Sequence, residues 1–166
     1  MRQRRTATVF GLLALALPAL ADKPVITLVP LTPFTLSGGT AAGSCTFDVG
    51  VAPQANRPNG ERQILFANSA IIAGPLFLTL TNLSDPTKTL NVNASGPGKI
   101  SISGNEETLL GPAFLGGFPP NVTEAAGLPA VSILTGRTEI TFDNLGNTTS
   151  ITHVGAPARD LCAALQ

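Results

Sequence analysis

The sequence has no tryptophan, no tyrosine, one histidine, one methionine and two cysteines, and only 12% of its 166 residues are charged. Each shortage excludes a class of function. Zinc and copper centres built on histidine need two or three imidazoles or thiolates, and His153 stands alone. Flat aromatic platforms for stacking sugars are reduced to phenylalanine. No G-x-S-x-G elbow, phosphate loop or dinucleotide fingerprint occurs, so neither a catalytic nucleophile nor a cofactor is legible. A non-enzymatic role without metal or cofactor is the expectation.

What is present begins with an address. Arg2, Arg4 and Arg5 precede an apolar run from Val9 to Leu17 and the small-residue site Ala19-Leu20-Ala21, the pattern of a secretory signal peptide over residues 1–21. The run is shorter than the ~20 residues of a spanning helix, so no membrane span is expected in the mature form. Cleavage leaves residues 22–166 as one secreted domain. Seven cations then face ten carboxylates, a net charge of −3, and the cations are scattered. That distribution excludes a basic footprint for nucleic acid or anionic lipid.

In an oxidising compartment two cysteines read as one disulfide, so Cys45 and Cys162 are expected to pair. Alternation predicts a strand from Ser44 to Val51, with Cys45, Phe47, Val49 and Val51 on its apolar face. The bridge would staple the C-terminus to an early strand.

The rest is a succession of short Val, Ile, Thr, Leu and Phe segments separated by Gly, Pro, Asn and Asp. Period-two alternation marks strands at Leu76–Thr81, Leu90–Asn93, Ile100–Ser103, Thr138–Asp143 and Ser150–Val154. The connections include Asp85-Pro86, Gly96-Pro97-Gly98, Gly104-Asn105, Thr135-Gly136 and Asn144 to Asn147, mostly too short for parallel crossovers. The segment from Lys23 to Leu36 carries three prolines and supplies at most an edge strand. Ala158 to Leu165 is the one helical candidate. The fold class is all-β and antiparallel, with eight or nine strands in a β-sandwich or, equally compatible with a run of hairpins, a small up-and-down barrel.

Two irregular stretches stand out. Ala52 to Glu61 reads as a surface loop, and Gly111 to Pro129 as a long loop with Phe114, Leu115 and Phe118 as candidate contact residues or as caps over an open core end. Adjacent Glu106 and Glu107 point to opposite faces of a strand and read as a solvated edge. Asp143, Asn144 and Asn147 form an oxygen-rich turn without the ligand spacing of a calcium loop. Glycosylation sequons fall at Asn82, Asn93, Asn121 and Asn147.

The strand Cys45-Thr46-Phe47-Asp48-Val49, the segment Leu78-Thr79-Leu80-Thr81-Asn82, the turn from Asn93 to Gly98 and the ending Arg159-Asp160-Leu161-Cys162-Ala163-Ala164-Leu165, behind a signal peptide, together resemble a group of small exported hypothetical proteins of high-GC soil bacteria. The resemblance implies a secreted β-rich domain with a disulfide from an N-terminal strand to the C-terminal tail. It carries no functional residue. Three roles are expected of such a chain: a binding or surface-interaction module for a protein, glycan or small apolar ligand; a barrel that binds or transforms a small apolar ligand with inward residues such as His153 or Asp48; or a structural protein of the cell envelope or spore coat.

Overall fold

A computed structural model describes residues 24–39, 45–101 and 103–166, so the expected signal peptide and Ser44 lie outside the described residues. Among the described residues eleven strands and two short helices follow in the order β1 (Val25–Leu28), β2 (Phe34–Leu36), β3 (Val49–Pro53), β4 (Arg62–Leu65), β5 (Ser69–Ala73), β6 (Phe77–Asn82), β7 (Thr89–Asn93), β8 (Gly98–Ser101), β9 (Glu106–Leu115), α1 (Pro120–Ala125), β10 (Ser132–Phe142), β11 (Thr148–Asp160) and α2 (Leu161–Ala164). A seven-stranded sheet runs β1-β4-β5-β8-β9-β10-β11, and a four-stranded sheet runs β2-β3-β6-β7. Every pairing is antiparallel. The architecture is the sandwich, and neither sheet closes into a barrel.

Strand parity explains the core. Val49 and Val51 of β3, Leu78 and Leu80 of β6 and Val92 of β7 alternate with half-buried or exposed neighbours and line one dry face. That face is closed by Leu36, Val131, Phe114, Ile133 and the tail residues Leu161 and Leu165. A second core joins Leu115, Leu134, Ile140 and Ile151 to Val122 of α1, with Phe118 and Leu128 at its margin.

The tail is held to the body at three points and capped locally at a fourth position. Cys45 and Cys162 form a disulfide with Cα atoms 5.1 Å apart across a sequence separation of 117. The Leu161 amide donates to the Val131 carbonyl at 3.0 Å, and the Asn82 side-chain amide donates to the Leu165 carbonyl at 3.2 Å. Asp160 caps α2 by accepting from the Ala163 amide at 3.1 Å, the ordinary satisfaction of an orphan helix donor.

Several local expectations are corrected. Cys45 to Asp48 are not strand, although their burial still alternates as predicted, and β3 begins at Val49. Thr135-Gly136 is no turn: β10 continues through it, because Gly136 and Gly155 face each other across β10 and β11 where a Cβ on either would collide with the partner's backbone. The stretch Gly111 to Pro129 is not one loop, since β9 reaches Leu115 and α1 begins at Pro120. Pro at the helix start is the sequence cue for that turn. The C-terminal helix is confined to Leu161–Ala164 because β11 runs on to Asp160. Of the expected edge segment, Lys23 lies outside the described residues, and Pro24 to Leu36 supplies two edge strands, one to each sheet.

Candidate functional site

Lateral registry across the large sheet places one residue from each strand in a single row: Val25, Leu65, Ala70, Ile100, Glu107, Ile140 and Ile151. Directly opposed residues share a face, so Glu107 is the one carboxylate in an otherwise aliphatic row. The neighbouring row holds Ile72, Gly98, Leu109, Thr138 and His153. Gly98 has no side chain to cover the floor there, and a Cβ placed on it would stand 3.5 Å from the Glu107 Oε1.

This arrangement opens a cleft between the sheets of about 220 Å³, walled by Ile72, Leu76, Ala94, Leu109 and Phe114 and entered by two carboxylates, Glu61 and Glu107. A second hollow of about 320 Å³, lined by Leu28, Pro30, Leu31 and Asn59, adjoins it and shares Glu61 and Leu76. Neither carboxylate has a hydrogen-bond or ion-pair partner among the described residues. Burial pushes the pKa of both above the usual glutamate range, because an apolar surrounding disfavours the charged form. Glu61 is positioned by its backbone, whose carbonyl accepts from the Val29 amide at 2.9 Å.

The remaining predicted residues are dispersed. Phe114 and Leu115 occupy opposite faces of β9: Leu115 is fully buried in the second core and Phe114 packs half-buried on the first, while Phe118 leans on the second. Strand alternation thus divides the expected contact surface. Leu115 offers no surface to a partner. Glu106 is exposed, but Glu107 is not part of a solvated edge, because β9 lies inside the sheet between β8 and β10. His153 is engaged at both ring nitrogens, Nδ1 with the Thr138 hydroxyl at 2.9 Å and Nε2 with the Ala156 carbonyl at 3.1 Å. Thr138 is itself buried, while the His153 ring is half-buried. Asp48 is exposed and accepts from the Gly38 amide at 2.6 Å.

The Asp143 turn is saturated internally. Its carboxylate accepts from the Asn147 side chain at 2.9 Å and from the amides of Asn147 and Leu145 at 2.9 and 2.8 Å, and these bonds, the Asn147 side chain first, hold its pKa low. Of the sequons, Asn93, Asn121 and Asn147 are exposed. Asn82 is buried, with its amide committed to Leu165, and is removed from the surface set.

Glu61 was hidden from sequence reasoning because a loop residue reaches this cleft only through tertiary packing. Glu107 carried a signal: Glu107, Leu109, Gly111, Ala113 and Leu115 alternate on one side of a strand once β9 is extended to its full length.

Compared with protein-family models, curated proteins and solved structures, the chain has no match.

Proposed function

We propose that the protein is an exported, non-enzymatic binding module whose inter-sheet cleft takes a small apolar molecule bearing a cationic or hydrogen-bond-donating group. The observation that carries this reading is the pair of unpartnered, partly desolvated carboxylates in aliphatic walls. A concave apolar site with a few convergent polar groups is the usual form of a small-molecule pocket. An unpaired carboxylate losing water is stabilised by any donor that replaces it. Export is supported by the arginine-led apolar N-terminus and by the disulfide, which persists in oxidising compartments.

The test is calorimetric titration with n-hexylammonium and with hexanoate at neutral pH. Hexylammonium binds and hexanoate does not, and the double variant Glu61→Gln/Glu107→Gln weakens hexylammonium by at least about tenfold, a loss of about 1.4 kcal/mol. Equal affinity for the two probes, or full retention by the double variant, overturns the reading.

A further inference from the structure

The cleft leaves unused the other exposed apolar feature of the large sheet, its β1 edge. Among the described residues β1 pairs with β4 alone, and its far side carries no strand. Val25 and Ile26 are each 58% exposed and Leu28 71%. The strand has no charge, proline, glycine or bulge, the devices that normally keep an edge from pairing. The opposite edge of the same sheet, β11, carries Gly155, Pro157, Arg159 and Asp160 and shifts register against β10. In the small sheet, β2 is three residues long, and β7 presents exposed Asn91 and Asn93.

The backbone directions along β1 are fixed. Val29 donates its amide to the Glu61 carbonyl, so Val25, Thr27 and Val29 turn their polar groups toward β4, and Ile26 and Leu28 turn theirs outward.

We propose that β1 is a self-association edge, pairing antiparallel with β1 of a second copy about a two-fold axis. The outward groups of Ile26 and Leu28 dictate the register. Ile26 of one copy lies opposite Leu28 of the other, and the reverse pair repeats it, giving two hydrogen-bonded pairs with Thr27 facing Thr27 across the axis. In that register both hydrogen-bonded pairs are aliphatic on aliphatic, on one face of the joined sheet. The strand is self-complementary and uncharged, so an identical copy meets no like-charge repulsion, and the contact is isologous and closed.

The full chain is examined by sedimentation velocity from micromolar to millimolar concentration. A concentration-dependent dimer is expected. Ile26→Pro removes only an outward-facing amide and weakens the dimer by at least about tenfold. Leu28→Lys, which leaves the backbone donors in place, has the same effect and guards against a folding defect in the proline variant. Thr27→Cys cross-links on oxidation to a covalent dimer, because opposed residues of a non-hydrogen-bonded pair lie within disulfide reach, whereas Ile26→Cys does not. A monomer at every concentration, a dimer indifferent to both edge variants, or equal cross-linking by the two cysteine variants overturns the proposal.

Discussion

Glu107 extends over Gly98, so that the carboxylate occupies the space a larger residue in β8 would fill. The placement keeps the glutamate half out of water and makes stability depend on its proton. Its native pKa is raised by burial, as is that of Glu61. The folded chain therefore retains protons that the unfolded chain has released above the ordinary glutamate pKa of about 4.3. The stabilising contribution is complete below that value and is lost as pH rises through the raised native pKa. Melting curves from pH 4 to pH 7 are expected to show this decline, and Glu61→Gln/Glu107→Gln to flatten it. Glu107→Leu, which completes the aliphatic row, is expected to gain about 1 kcal/mol at neutral pH. An unchanged slope in the double variant contradicts the assignment. Asp85 runs in the opposite sense: hydrogen bonds from Thr87 lower its pKa, so its contribution is present above the ordinary aspartate value and disappears on acidification through the native one.

The Cys45–Cys162 bridge closes a loop of more than a hundred residues. In the chain-entropy account a loop of that length stabilises by about 4–5 kcal/mol through the unfolded ensemble. Urea denaturation with and without reductant is expected to show a large drop in midpoint on reduction. Intact mass after alkylation is expected to be unchanged unless reductant is present. A molecule that takes up alkylating agent without reduction contradicts the pairing.

Core and margin separate by substitution. Leu115→Ala is expected to cost about 2–5 kcal/mol, because the fully buried side chain leaves a cavity between β9 and α1. Phe118→Ser, at the edge of the same cluster, is expected to cost less, about 1–3 kcal/mol. Equilibrium denaturation measures both. An order reversed between the two, or a Leu115→Ala variant as stable as the parent, contradicts the assignment of Leu115 to the core.

Fold class was legible because period two is local. Leu78 and Leu80 on the dry face of β6 follow from alternation alone, and the hairpin turn at Gly104-Asn105 follows from its residues. The length of β9 and β10 was not legible, because Gly111, Pro112 and Gly136 punctuate those strands as they would a loop. Only the close approach of Gly136 to Gly155 shows that the glycine serves strand packing. The cleft was less legible than the fold. Its two carboxylates lie 46 positions apart in the chain, one in what reads as a surface loop and one in what reads as a solvated pair. Helix α1 is too short for a 3.6-residue period to develop, which left Val122 and Thr123 without a pattern to announce them.

The bridge from Cys45 to Cys162 encloses every element from β3 to the start of α2 within one covalent ring. A protease that cuts an exposed turn such as the one at Leu145 therefore cannot release a fragment while the sulfurs stay joined. The severed molecule keeps both pieces joined, and a single cleavage converts it into a two-chain protein instead of debris.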